Sequence, residues 1–249
     1  MVTRISILVL LICLFFISTF AHASGLKVMA EEYPPYSYTL KGKAHGLFID
    51  LVRKIQAKLQ ESPCDVKFYP WARGYKILEC GSGDVLLPMC MTPERSVKFK
   101  FVGPVFWDDI YFYSRKGSGI ELEKVDDARK VNAIAVTRYD VFHQNLVSLG
   151  YTNLDLSSSP KSDFMKLFHG RADLVPMGRK VISYFFKRNP ELDFNKLERV
   201  GTSVFFTTNY IAFAKHVPDE VVHRWQQALD ELKAEGEWQK IVDEYFPPE

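Results

Sequence analysis

Short apolar runs alternate with stretches of helical periodicity along most of the chain. Residues 26–30 predict a strand, and beyond it Phe48, Leu51, Val52, Ile55 and Leu59 recur at helical spacing on one apolar face. Residues 66–69 predict a second strand, ended by Pro70. Residues 72–79 then read as a helix stopped by Gly81-Ser82-Gly83. Residues 84–89 form a third apolar run, after which Thr92-Pro93-Glu94-Arg95 opens a short helix. Such βαβαβ order implies a parallel sheet with helices on both faces.

The pattern then repeats, with strands predicted at 133–136, 153–156 and 172–177 and helices at 141–149, 162–169 and 180–188. Two extended, aromatic-rich segments, 110–114 ("IYFYS") and 210–214 ("YIAFA"), stand between and after the two sets. A helix at 219–232 places Val221, Val222, Trp225, Leu229 and Leu232 on one face, and a shorter helix at 237–245 follows. The reading is an α/β chain of two lobes, hinged by two extended crossover segments, whose C-terminal helices return to the first lobe. Ligands on open α/β sheets sit beyond the carboxyl ends of the strands, so the strand-end loops face a cleft between the lobes.

The N-terminus changes the compartment. Arg4 precedes a 16-residue apolar run at 5–20, and Ala21-His22-Ala23 ends it as an A-x-A site. This is the layout of a cleaved signal peptide, and the run is shorter than the ~20 residues a spanning helix needs. Cys13 lies inside the run without the small residues a lipid-attachment site would show. Cleavage after Ala23 removes one basic residue from 32 and no acidic one from 30, leaving 31 against 30. That near-neutrality argues against nucleic acid or an anionic membrane as the main partner. No spacing among the six histidines resembles a metal site, and no cofactor is expected.

Three strand-end motifs carry candidate chemistry. In Thr92-Pro93-Glu94-Arg95, Thr92 suits a helix N-cap and Pro93 the first helical position. A capping box would place Glu or Gln where Arg95 stands. A cation in the first turn opposes the helix dipole by about 0.3–1 kcal/mol, a penalty that a bound anion would offset. Pro70-Trp71-Ala72-Arg73 ends the second strand, where Trp71 either caps the core or stacks on a ligand. Glu31-Glu32-Tyr33-Pro34-Pro35-Tyr36-Ser37-Tyr38 follows the first strand. Its prolines make it stiff, and its rings either pack on themselves or form a platform for a small molecule.

Taken together, "EEYPPYSY", "GLFIDLVRKI", "PWARGY", "GDVLLPMCMTPER", "HGRADLVPMG", "YIAFAK" and the ending "ALDELKAEGEWQKIVDEYF" resemble the family 3 extracellular solute-binding proteins, receptors for importers of polar amino acids. The resemblance covers essentially all of the chain beyond residue 23. It implies a type II periplasmic-binding-protein fold, with lobe I at 24–112 and 210–249 and lobe II at 113–209. It implies a periplasmic monomer that binds a small carboxylate-bearing solute and delivers it to the membrane permease of an ABC importer.

Carried over by motif, Arg95 pairs with the ligand carboxylate and Tyr36 stacks on the ligand, with Trp71 as a second aromatic wall. Met89-Cys90-Met91 lies where the family holds the α-amino group, with a thiol in place of the usual hydroxyl at Cys90, and Thr92 beside it is also expected to contact the ligand. Thr137, Arg138 and Tyr139 meet the solute from the second lobe. The family's second-lobe aspartate, five residues beyond the Asp of "GRAD", is here Gly178, followed by Arg179. Were Arg138 and Arg179 to line the cleft, they would favour a more anionic solute. Cys64 and Cys80 fall on the side away from the cleft and are expected to form a disulfide, leaving Cys90 free.

The expectation is a binding protein, not an enzyme. Two alternatives stand beside it. One is a cleft enzyme resembling cyclohexadienyl dehydratase, with Glu32, Asp108 and Asp140 as candidate acids or bases. The other is a ligand-sensing subunit that reports to a membrane receptor.

Overall fold

A computed structural model describes residues 25–247. The predicted signal peptide and its cleavage after Ala23 lie outside the described residues. Among those described, no helix is long and apolar enough to cross a membrane.

The first lobe begins with β1 (Val28–Ala30) and a hairpin, β2 (Tyr38–Leu40) and β3 (Lys43–His45). The hairpin is absent from the sequence reading. Its turn places Lys41 and Gly42 at φ of 50° and 75°, the paired positive values of a type I′ turn. Helix α1 (Leu47–Lys58) follows and buries Leu47, Phe48, Leu51, Val52 and Ile55, the predicted face. Next come β4 (Val66–Phe68), α2 (Trp71–Glu79), β5 (Val85–Cys90) and α3 (Pro93–Lys98). β1 pairs in parallel with β4 on one side and β5 on the other.

Two long strands then link the lobes. β6 (Phe99–Arg115) and β10 (Leu197–Ala214) run antiparallel to each other, from Phe99 opposite Ala214 to Arg115 opposite Leu197. The expected extended segments, 110–114 and 210–214, are only parts of this ribbon. Gly103-Pro104 reads as a turn signal, yet the strand continues through it. Pro104 has no N–H to leave unpaired, and the Gly103 N–H donates to Gln226 Oε1 at 2.8 Å. The sheet order is β4-β1-β5-β10-β6-β9, so the ribbon joins the parallel half to β9 (Val175–Gly178) of the second lobe. The lobe boundaries placed at 112/113 and 209/210 fall within the ribbon's two strands.

The rest of the second lobe is β7 (Ile134–Thr137), α4 (Val141–Ser148), β8 (Leu154–Ser157), α5 (Pro160–Phe168) and α6 (Ile182–Arg188). β7 and β8 are parallel. Ile134, Val136, Leu146 and Leu174 build a core of their own with Phe112 and Val200 of the ribbon. The chain closes with α7 (Asp219–Ala234) and α8 (Glu237–Tyr245). Trp225, Leu229 and Leu232 of α7 sink into the first lobe's core, and Lys58 of α1 bridges to Glu231 and Glu235.

The expected Cys64–Cys80 disulfide is not formed; Cys64, Cys80 and Cys90 are all free thiols. Cys64 sits against α1, its N–H donating to Gln56 Oε1 at 3.2 Å, whereas Cys80 is exposed at the C-cap of α2. Cys90 is buried, and desolvation raises its thiol to about 12. Titration of thiols with Ellman's reagent should therefore label Cys80 in the native protein and Cys90 only on unfolding. Residues 25–247 should yield all three thiols in denaturant; a Cys64–Cys80 bond would leave one.

Candidate functional site

Glu31 is the first residue beyond the carboxyl end of β1, and the loop after it folds back on itself. The Tyr33 N–H donates to Ser37 O at 2.8 Å, the Tyr36 N–H to Tyr33 O at 2.9 Å, and Ser37 Oγ to Glu31 O at 2.7 Å. The Pro34–Pro35 bond is cis. This geometry sends the two tyrosines to different places. Tyr36 is 2 % exposed, with Phe48 and Phe106 edge-on to its ring at 5.6 and 5.7 Å. It reaches the cavity between the lobes as part of a packed aromatic core. Tyr33, which the sequence reading passed over, lines the same cavity less deeply buried, and its hydroxyl meets Met177 Sδ of β9 at 3.0 Å.

β5 alternates, as strands must, and the alternation corrects the expectation for Met89. Pro88 and Cys90 face the cavity, whereas Met89 points the other way into the first lobe's core. Cys90 Sγ donates to Asn209 Oδ1 at 3.1 Å. Thr92 does not line the cavity: its hydroxyl is occupied as the N-cap of α3, accepting the Arg95 N–H at 3.2 Å.

Arg95 is 1 % exposed and lines the cavity. Its guanidinium lies over the rings of Trp71 and Tyr75, 5.2 and 5.6 Å from their centroids. Nη1 donates to Cys90 O and Nη2 to Tyr139 O, each at 3.0 Å, while Nε has no partner. Burial pulls its pKa below the ordinary arginine value. Trp71 is also buried at the cavity wall, and its Nε1 donates to the same Tyr139 carbonyl at 2.7 Å. The two residues of the first lobe thus converge on one carbonyl of the second.

In the second lobe the predicted segment splits. Thr137 is buried away from the cavity, donating to Asp163 Oδ2 at 2.7 Å. Arg138 is exposed and does not line the cavity, and the ring of Tyr139 is exposed as well; Tyr139 contributes its carbonyl. The residue that enters is Asp140, which also caps α4 by accepting the His143 N–H at 2.7 Å. Arg179 faces an outer groove with Trp107 and Trp238, so neither arginine brings positive charge inside.

Gly178 explains the missing second-lobe aspartate. A Cβ built there would overlap Asp108 Oδ2. Asp108, from the ribbon strand β6, fills the ground a side chain at 178 would need, held by the Lys180 N–H at 3.0 Å to both carboxylate oxygens. The sequence reading had named Asp108 only as an enzymatic acid. Of the other two acid candidates, Asp140 also lines the cavity, whereas Glu32 is exposed and turned onto Thr39, whose N–H reaches Glu32 Oε2 at 3.0 Å. The neighbouring Glu31 is the one that faces inward.

The cavity of about 60 Å³ is therefore lined by three carboxyl groups, Glu31, Asp108 and Asp140, with Arg95 as the single basic side chain among its described lining. Burial first of all raises each carboxyl. Asp108 is pushed up to about 6 against the Lys180 N–H, and Glu31 and Asp140 rise well above the carboxylate range. Mutual repulsion adds to this: Asp140 and Asp163 act on Glu31, and Asp163 on Asp140. Glu31 Oε1 has no hydrogen-bond partner.

The unpaired Arg95 Nε and the unpaired Glu31 Oε1 share one cavity between two lobes. The model of the bacterial extracellular solute-binding proteins, family 3, matches residues 26–248. The chain belongs to this family. Among curated relatives, a probable histidine-binding protein of Neisseria gonorrhoeae is 26 % identical over 88 % of this chain and 81 % of its own. The ABC transporter arginine-binding protein 1 of Escherichia coli (strain K12) is 24 % identical over 92 % and 94 %. Among solved structures, a histidine kinase sensor domain with similarity to periplasmic binding proteins superposes with a TM-score of 0.79 at 21 % identity, covering 89 % of this chain and 96 % of that one. The two-lobed type II fold follows.

In this family member Gly178→Ala should displace Asp108 from the Lys180 N–H and destabilise the protein by about 1–3 kcal/mol, as overpacking does. Thermal unfolding of the ligand-free protein checks this. An unchanged melting temperature would mean that Asp108 can move aside freely.

Proposed function

We propose that this solute-binding protein captures a small amino acid bearing a cationic or neutral side chain and delivers it, in the periplasm, to the permease of an ABC importer. The observation that carries the reading is the pair of unmet groups in one buried cavity, Arg95 Nε as donor and Glu31 Oε1 as acceptor. Buried polar groups are costly without partners, so a guest with both an acceptor and a donor resolves both ends at once. Arg95 uses only two of its five N–H donors on protein carbonyls, and a carboxylate suits the rest of the fork.

Asp108 takes the place of the family's second-lobe aspartate and, with Glu31 and Asp140 in the same cavity, seats the α-ammonium. Trp71, Tyr33 and Tyr36 supply the aromatic walls, and the Cys90 thiol is a weak polar neighbour, already committed to Asn209. Binding at both walls stabilises the shut arrangement by hinge closure. The names of the relatives support an amino acid and an importer. They also support a binder in place of a catalyst. The sensor-domain resemblance favours reporting to a receptor as the second reading of the partner.

Isothermal titration with L-arginine, L-histidine, L-glutamine and L-glutamate tests this. The first three should bind and glutamate should not, because its side chain adds a carboxylate to a cavity already lined by three. Arg95→Ala should weaken binding by about 2–5 kcal/mol, on the order of thirty- to several-thousand-fold in Kd. An unchanged Kd would remove Arg95 from the site, and preferential binding of glutamate would overturn the assignment of charge.

A further inference from the structure

Glu31 and Asp140 come from opposite lobes and line the same cavity. Glu31 is 8 % exposed, and its Oε1 aims at no protein donor. Asp140 spends one oxygen on the His143 N–H. We propose that these two carboxyls form a shared seat for one positive charge, and that filling this seat, with a proton or with a cationic group of the solute, is what permits the lobes to close. The proposal rests on the solute-binding reading for the identity of the solute's cation. It does not rest on it for the proton.

The surroundings leave this pair short of positive charge. Facing Glu31 are Tyr33 and Tyr36 of its own loop, a backbone N–H of Trp71, Cys90 of β5, Asp108 of β6, and Asp140 and Asp163 across the cleft. Facing Asp140 are the backbone N–H groups of Phe142 and His143, Asp163 of α5, and Arg95 of α3. The His143 ring lies beside Arg138, and burial lowers its pKa, so it adds no dependable charge. Asp163 is raised to about 7 by burial, although it accepts from Thr137 and Ser157 and lies near Lys166. The Lys180 ammonium is spent outside, 5.0 Å from the Phe106 and Trp107 rings. Arg95 alone enters, and its fork is the place for the solute carboxylate.

Separated lobes would leave both carboxyls in water near their ordinary values, ionised at neutral pH. Closing them without a guest desolvates both, which raises each, and brings Asp140 up to Glu31, which raises Glu31 further. A shut state with raised carboxyl pKa values binds more protons than the open state. It is therefore favoured at low pH and loses that advantage as pH rises through the raised values. A solute ammonium or guanidinium in the same seat does at neutral pH what the proton does in acid.

Small-angle X-ray scattering on protein freed of solute by unfolding, dialysis and refolding tests this. The radius of gyration should be small at about pH 4.5 and larger at about pH 8, with L-arginine restoring the small value at the higher pH. Glu31→Gln and Asp140→Asn should each shift the transition to higher pH, and the double variant should remain compact at both. Circular dichroism confirms that each variant is folded. A radius independent of pH in the folded wild type, or a transition unmoved by both single variants, overturns the proposal. Solute binding without a pH-dependent radius sinks the seat and spares the function. A pH-dependent radius with no response to any amino acid spares the seat and sinks the function.

Discussion

One backbone carbonyl holds the two halves of this molecule in register. Tyr139 sits at a φ of 63°, in the left-handed region that costs a non-glycine residue about 1–3 kcal/mol. Its oxygen accepts from Trp71 Nε1 and from Arg95 Nη2. A neutral bond adds about 0.5–1.5 kcal/mol and one to a charged donor about 1.5–3, so the pair offsets the strain. Both donors belong to the first lobe and the acceptor to the second. Trp71 and Arg95 also line the cavity, so anything that enters it must negotiate with this contact between the lobes.

Arg95 shows how that negotiation is arranged. Two of its donors are satisfied by protein carbonyls, its plane is sandwiched against Trp71 and Tyr75, and a third donor is left without a partner. Removing a guanidinium from water costs several kcal/mol even after relaxation, and two neutral carbonyls do not return all of it. An arginine buried this way is incomplete by itself. Glu31 is incomplete in the complementary sense, its Oε1 buried in the same cavity without a donor.

Much of this was legible along the chain. Helical spacing located the buried face of α1, and Trp225, Leu229 and Leu232 marked the face of α7 correctly. Arg95 stood out because a cation opposes the start of a helix, and it does line the cavity. The failures have local causes. Met89 and Glu32 were each one residue out of register, and in extended chain a step of one turns a side chain to the opposite face. β6 runs well beyond the expected 110–114, through Gly103-Pro104, where Gln226 accepts the Gly103 N–H. Asp108 could not be placed beside Gly178 from sequence, since their contact joins residues 70 positions apart and depends on the β6–β9 register.

The distribution of charge follows from the same contact. With a side chain at 178, the ribbon carboxylate would be excluded; with glycine there, Asp108 comes in and accepts the Lys180 N–H. That leaves Lys180 itself, like Arg138 and Arg179, outside the cavity, where water screens it. Positive charge on the outer surface acts on an approaching solute weakly and at long range. The buried carboxyls act on a bound one at low dielectric, where the same charge counts for several times more. The cavity is therefore dominated by the acids inside, and the exposed Arg138 and Arg179 stand outside it.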